Sequence, residues 1–296
     1  MPGRLVAIFG PTGVGKTAVA LSLATAMRAD GQHPAAVSAD ALQVYRGIET
    51  LTGVPTPAQQ AILEHRLISF VALTDHFDVA RYAALAHAEI DGLLAEGRRP
   101  IVIGGTGLYL RAALTDLRLR PAAPPAVRAR WKAALDRDGP HALHALLADR
   151  APWAAERIDP ADRHRIVRAL ELQEINALEP PSGPSQLWTA DCRHPTRLIG
   201  LVMDRGSLYR RIDDRVERMV AGGALEEVRT ADRAGASPGV RQALGFAALL
   251  AGDVEAMKRQ SRNYARRQLT WMRKLAGVEI VDVTDRSADD VAAALR

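Results

Sequence analysis

The segment Gly10-Pro11-Thr12-Gly13-Val14-Gly15-Lys16-Thr17 carries the spacing G-x-x-x-x-G-K-T. Its glycines let consecutive backbone N–H groups converge on phosphate oxygens, and the helix that opens behind them turns its positive end to the same anion. Lys16 adds a point charge and Thr17 a hydroxyl suited to Mg²⁺. The chemistry is the holding of a phosphorylated ligand, and the loop leaves its identity open. Asp40, in Ser38-Ala39-Asp40, follows a strand-like run. It reads either as a base or Mg²⁺ contact or as a helix cap or turn aspartate. Gly104-Gly105-Thr106-Gly107 ends another such run. There small residues allow close backbone approach and Thr106 offers a hydroxyl, although a tight turn would look the same.

The segment 258–274, KRQSRNYARRQLTWMRK, is dense in Lys and Arg, holds no acid and interleaves Tyr264 and Trp271. On a helix, Arg259, Arg262, Arg266 and Arg273 fall near one side, while Tyr264, Leu269 and Trp271 are expected to face the core. A solvated basic face is the plain reading of such a run. The missing acid favours a polyanion, either a diphosphate or a nucleic-acid backbone. A P-loop nucleotidase would also carry an apolar strand ending in a Mg²⁺-holding Asp, whereas the run 100–104 ends in glycines. ATP hydrolysis is therefore not the expected activity.

These residues need a scaffold, and the first part of the chain alternates strand and helix signals. Strands are expected over 5–9, 35–38, 66–70 and 100–104. Between the last two, Val79, Tyr82, Ala83, Ala86, Ile90 and Leu93 recur at helical spacing, as in a crossover helix. Pro121, Pro124 and Pro125 form a linker, after which the pattern is helical until Arg197. A second breaker cluster, Glu179-Pro180-Pro181-Ser182-Gly183-Pro184, closes that stretch. A strand over 197–203 and a helix with Leu208, Ile212, Val216, Met219 and Val220 on one face follow. The fold class is α/β, a P-loop NTPase-like parallel sheet flanked by helices with an all-helical insertion domain. The expected division is a core over 1–116, the insertion over 117–195 and the rest of the core over 196–296, with the two proline clusters as hinges.

The chain has 296 residues and a formal net charge of +5, compatible with a polyanionic partner and equally with an ordinary basic surface. Cys192 is the only cysteine, which excludes intrachain disulfides and clustered Cys metal sites. No stretch has the apolar length of a membrane span, and Met1-Pro2-Gly3-Arg4 leads into the first strand without a secretory signal. A cytoplasmic location without membrane contact is the expectation.

Read together, Gly10 to Thr17, the run Ser38 to Gly47, Gly104-Gly105-Thr106-Gly107-Leu108-Tyr109-Leu110 and the run Asn263 to Trp271 resemble the successive motifs of tRNA dimethylallyltransferases. The runs Asp162 to Glu171 and Asp204 to Asp213 are similar to two further blocks of that family, so the resemblance spans nearly the whole chain. It implies transfer of a dimethylallyl group from dimethylallyl diphosphate to the exocyclic N6 amine of the adenosine 3′ of the anticodon in tRNA, at position 37, with release of diphosphate.

The resemblance also implies residue roles. Gly10, Pro11, Thr12, Gly13, Val14, Gly15, Lys16 and Thr17 would hold the diphosphate, with Arg266 and Arg267, and Thr17 would meet Mg²⁺. Asp40 would accept the amine proton, and Thr106 would hydrogen-bond near the bridging diphosphate oxygen. Asp40, Ala41, Leu42, Gln43, Thr106, Arg128, Arg163, His164, Arg165, Ile166 and Val167 would meet the anticodon stem-loop of tRNA. The protein would act as a monomer without an obligate protein partner. Where the family usually has Lys before a proline, this chain has Val54, which is assigned no role. The Cys/His zinc module of eukaryotic relatives does not follow Trp271, which makes the likeness one to the bacterial type. Two other enzymes remain open: a P-loop small-molecule or nucleotide kinase, whose arginine-rich lid Arg163, Arg165 and Arg168 could imitate, and an adenylate dimethylallyltransferase. A nucleotide-gated RNA-binding protein without transfer activity is the non-enzymatic alternative.

Overall fold

The computed structural model describes residues 5–181, 183 and 185–295. Met1-Pro2-Gly3-Arg4 and, from the segment expected to act as the second hinge, Ser182 and Pro184 lie outside the described residues, as does Arg296. The chain forms two units, one of residues 1–117 with 186–296 and one of residues 118–185.

In chain order the first unit begins with β1 (Leu5–Phe9), α1 (Lys16–Ala29), β2 (Pro34–Ser38), α2 (Glu49–Thr52) and α3 (Pro57–Ile62). It continues with β3 (His65–Arg66), α4 (Val79–Ala95), β4 (Arg99–Gly104) and α5 (Gly107–Leu114). The second unit holds α6 (Pro125–Arg150), α7 (Pro152–Ala155) and α8 (Arg163–Glu174). The chain then returns through β5 (Thr196–Val202), α9 (Arg205–Ala221), α10 (Ala224–Arg233), α11 (Pro238–Arg241) and α12 (Phe246–Leu250). It ends with α13 (Val254–Met272), β6 (Val278–Asp282) and α14 (Ala288–Ala294).

The six strands form one parallel sheet in the order β3-β2-β4-β1-β5-β6. Every residue of β1 and β2 is buried, as expected of strands covered on both faces. Alternate side chains of β1 enter different cores. Leu5, Ala7 and Phe9 join Tyr82 and Ile90 of α4 and Leu110 of α5, while Val6 and Ile8 join Val19 and Leu23 of α1 and Val291 of α14. Asp78 caps α4 by accepting from the N–H groups of Ala80 and Arg81, which starts the crossover helix where the apolar period begins.

The strand expected over 66–70 shrinks to His65–Arg66 because Leu67 and Ser69 take positive φ, 60° and 50°. The chain turns back there, and the N–H groups of Ser69 and Phe70 donate to the carbonyls of Gln43 and Val44. That strap supports the loop after Asp40. The strand β6 escaped the sequence reading because it is short, lies at the sheet edge and presents Glu279 and an exposed Ile280 to solvent.

The second unit is all helical, with Trp131, Leu135, Leu143 and Leu147 of α6 packed against Ile166 and Leu170 of α8. α6 breaks at Gly139, φ 80°, just before Pro140. Buried Glu171 is paired by Arg128 at 3.4 Å and Arg168 at 3.1 Å, which compensates its desolvation in a small core. The insertion boundary expected at 195 falls at 185 instead. Residues 186–195 stay with the first unit because the buried Arg111 guanidinium donates to the carbonyls of Gln186 and Asp191, at 2.9 and 3.1 Å. Trp188 also packs on Trp271 of α13, with ring centroids 4.4 Å apart.

Candidate active site

Register brings three strand ends level. Phe9 pairs with Gly104 and Ser38 with Ile103, so the phosphate loop, Asp40 and Thr106 emerge side by side from the carboxyl ends of β1, β2 and β4. The Ala39 N–H donates to the Ile103 carbonyl at 2.7 Å, and a Cβ on Gly104 would lie 2.2 Å from the Ala39 carbonyl oxygen. This glycine is required because two loops touch there, a more specific need than a tight turn.

These strand ends open into a cavity of about 450 Å³ closed on its far side by α9 and α13. Thr12, Gly13, Gly15, Lys16, Thr17, Asp40, Ala41, Leu42, Gln43 and Thr106 all line it. Gly10 and Pro11 act through their carbonyls, which accept from Lys16 Nζ at 2.8 and 3.0 Å, and Val14 is a core side chain that contributes backbone only. Gly13, at φ 83°, sits where a Cβ would meet Ile212 of α9 at 2.8 Å. Asp40 Oδ1 accepts from the N–H groups of Leu42 at 2.9 Å and Gln43 at 3.4 Å. It is a turn aspartate and a cavity carboxylate at once. Gln43 is held by Ser38, whose hydroxyl donates to its Oε1 at 2.9 Å, and its Nε2 donates to the Gly53 carbonyl at 3.1 Å.

The wall that the sequence reading left out is cationic. Arg211, Arg215 and Arg218 of α9 line the cavity together with Lys16 and Arg267, against Asp40 as the acid of the lining. Burial pushes the Lys16 ammonium down to about 7, the Arg215 guanidinium adds to the fall, and Asp40 opposes it. Burial likewise lowers Arg215, with Asp40 as its counter-charge and Arg218 as a repelling neighbour. The spacing of four and three between these arginines, beside the apolar line Leu208, Ile212 and Val216, was the readable signal. Gln268 is a second residue missed: its Oε1 accepts the Thr12 N–H and its Nε2 donates to the Gly105 carbonyl, both at 2.8 Å.

On α13 the buried line is Met257, Ser261, Ala265, Gln268 and Met272; of the residues expected to face the core, Leu269 and Trp271 are half-buried and pack against it, and half-buried Tyr264 lines the cavity. The basic run is also less bare than its local sequence. Arg262 pairs with Asp213 at 2.6 Å, Lys258 with Glu217 at 2.8 Å and Glu255 at 2.9 Å, and Arg259 with Asp253 at 3.6 Å. The compensating acids come from α9 and from the start of α13. Arg267 reaches the cavity; Arg266 turns outward and hydrogen-bonds Asn263.

The remaining expected RNA contacts lie in the helical unit. Arg128 pairs with Glu171, Arg163 with Asp136 at 3.2 Å and Arg165 with Asp162 at 3.5 Å, and His164 is exposed. Ile166 is a fully buried core residue and Val167 packs against that core.

Residues 43–275 match the family model described as IPP transferase, and residues 3–74 match the one described as isopentenyl transferase. The chain is similar to a tRNA dimethylallyltransferase of Kineococcus radiotolerans, 41% identical over 96% of this chain and 92% of the relative. It is 43% identical to one from Anaeromyxobacter sp. (strain Fw109-5), over 98% and 97%. Among solved structures it resembles the full-length tRNA isopentenylpyrophosphate transferase of Bacillus halodurans, at 32% identity and a TM-score of 0.70, covering 98% of this chain and 93% of that one.

Proposed function

The chain belongs to the tRNA dimethylallyltransferase family, and from that premise we propose that dimethylallyl diphosphate is the donor and that the cavity between β1, β2, β4, α9 and α13 is where it reacts. The acceptor is the N6 amine of the adenosine 3′ of the anticodon in tRNA. The observation that carries the reading is the charge of the lining: Lys16, Arg211, Arg215, Arg218 and Arg267 surround one carboxylate, Asp40. Such a site suits a diphosphate beside a group that loses a proton.

In the reaction the N6 lone pair attacks C1 of the dimethylallyl group as the C1–O bond to diphosphate breaks, and that electron pair leaves on oxygen. The proton of the attacking amine passes to Asp40, and the phosphate loop, Lys16 and the arginines hold the charge that departs. Thr106 hydrogen-bonds the oxygen that was bridging. An adenine in an anticodon stack must first be turned out, at a cost of about a few kcal/mol, offset by contacts to the surrounding loop. Arg128, Arg163, His164 and Arg165 of the helical unit would make such contacts, a reading supported by their match to positions that meet tRNA in the family.

The donor set fits Mg²⁺. Among the described residues no group of three or more His, Cys, Asp or Glu could hold a metal. An ion that keeps several waters and takes phosphate oxygens, with the Thr17 hydroxyl as its protein ligand, needs no such group. When bound it supplies neutralising charge to the diphosphate. No helix among the described residues is long and apolar enough to cross a membrane.

The test is incubation of the protein with Mg²⁺, radiolabelled dimethylallyl diphosphate and unmodified tRNA, with AMP and ATP in parallel. Label in tRNA is expected; label in AMP alone, or ATP consumption without transfer, would replace the reading with one of the two rival enzymes.

Lys16 provides a second check. Its ammonium titrates at about 7 in the free protein, and a bound diphosphate stabilises the charged form and raises that value. Binding above pH 7 therefore takes up a proton at Lys16, and affinity weakens as pH rises, by up to about tenfold per unit. Calorimetry at pH 8 in two buffers of different ionisation enthalpy should show this uptake, and a Lys16→Met variant should lack it. Equal uptake in both proteins would assign the proton elsewhere.

A further inference from the structure

Tyr264 of α13 lines the cavity with its hydroxyl 3.3 Å from Thr106 Oγ1, and nothing in the chemistry above uses it. Gln268, one helical turn further on, fixes that stretch of α13 to the loops beside it. Gln268 is buried, with its Oε1 on the Thr12 N–H and its Nε2 on the Gly105 carbonyl. A backbone N–H only donates and a carbonyl only accepts, so the amide has one orientation, and its second Nε2 hydrogen remains a donor.

A threonine hydroxyl has a single hydrogen, and in the role given above that hydrogen goes to the bridging diphosphate oxygen, so the Tyr264 phenol is the donor of the pair. Burial holds the Tyr264 phenol up at about 12, so its hydrogen is retained at neutral pH. The Arg267 guanidinium lies over the Tyr264 ring, 5.5 Å from its centroid, and restrains it. With Oγ1 of Thr106 engaged as an acceptor, the one hydroxyl hydrogen of Thr106 is free for the cavity.

We propose that Tyr264 is a positioning residue for the departure of diphosphate: by donating to Thr106 Oγ1 it directs the Thr106 O–H at the bridging diphosphate oxygen. The inference rests on the donor and on the role of Thr106 stated above. As the C1–O bond breaks and its electron pair passes to oxygen, the Thr106 O–H hydrogen-bonds the charge that develops, and no proton leaves Thr106 or Tyr264. The 3.3 Å separation leaves room to shorten as that charge grows.

The test is single-turnover transfer by the full chain for wild type, Tyr264→Phe, Thr106→Val and the double variant. Tyr264→Phe keeps the ring and its packing. It is expected to leave KM for both substrates within about twofold and to lower the rate about tenfold, as loss of a group supporting a reacting residue does. Added to Thr106→Val it should cost nothing more, because it acts through that hydroxyl. A wild-type rate for Tyr264→Phe, or a loss that multiplies in full with that of Thr106→Val, overturns the proposal. Absence of transfer by the wild type would remove the donor and acceptor reading itself, and with it the role of Tyr264.

Discussion

Asp40→Asn is expected to slow dimethylallyl transfer by about 10² to 10⁴-fold, the usual contribution of a positioned proton acceptor, while tRNA binding stays nearly unchanged. Asparagine is the informative substitution because its side-chain oxygen can still accept from the N–H groups of Leu42 and Gln43, as Asp40 Oδ1 does at 2.9 and 3.4 Å. The turn survives, and the proton acceptor does not. An alanine would confound the two. The substitution also removes the charge that holds the Lys16 ammonium up against burial and Arg215, so Lys16 should fall below about 7 and KM for the diphosphate should rise most on the alkaline side. Single-turnover rates at saturating donor, measured at pH 6 and pH 8 beside tRNA filter binding, separate these effects. A variant within tenfold of wild type at pH 6 would mean that another group, or water, takes the amine proton.

Arg215→Met should make the free protein more stable and the enzyme much slower. Its guanidinium lines the cavity, its pKa is lowered by burial, and the neighbouring charges that act on it are Asp40, which favours it, and Arg218, which opposes it. It also depresses Lys16. In the free protein this is an unfavourable arrangement held in readiness for an anion. Methionine keeps much of the stem volume and removes the charge, so unfolding free energy should rise by about 1 kcal/mol. The value of kcat/KM for dimethylallyl diphosphate should fall by about 10² to 10³-fold, as when one preorganised charge donor is lost.

The pH dependence has a definite sign. A lysine whose folded pKa lies below its unfolded one carries a stability deficit that is full below pH 7 and shrinks as pH rises from about 7 to 10.5. Removing Arg215 moves Lys16 back up, so the gain in stability is largest at and below neutral pH and fades in alkali. Thermal unfolding from pH 6 to 10 together with steady-state kinetics reads both quantities. Lower stability with activity intact would make Arg215 a structural residue.

Local chemistry was legible where one stretch of chain supplies all of it. The phosphate loop needs only its own glycines, Lys16 and Thr17 after a strand, and β1, β2, β4 and β5 declared themselves as short apolar runs in an alternating pattern. Asp40 and Thr106 were legible as strand-end residues. Their neighbourhood followed from the pairing of Phe9 with Gly104 and Ser38 with Ile103, which a linear reading does not contain. β6 stayed hidden because an edge strand buries too little to show a pattern, and residues 186–195 because their attachment is to Arg111 and Trp271, distant in the chain.

The amino-acid sequence by itself determined that a loop with the spacing of a phosphate-binding motif follows the first strand, that the framework is a parallel α/β sheet with a helical insertion, and to which family the motifs are similar. Those properties depend on residue type and short spacing, which set backbone conformation within a few residues. Tertiary structure decided which charges act. It placed Asp213 against Arg262, 49 positions away, and Glu217 against Lys258, and left Arg211, Arg215, Arg218 and Arg267 turned to the cavity. It also joined Thr12, Gln268 and Gly105 in one contact. Coulomb energy and hydrogen bonding depend on separation in space over a few ångströms, and in this chain the separations that matter are closed by α9 and α13 folding back over the ends of β1, β2 and β4.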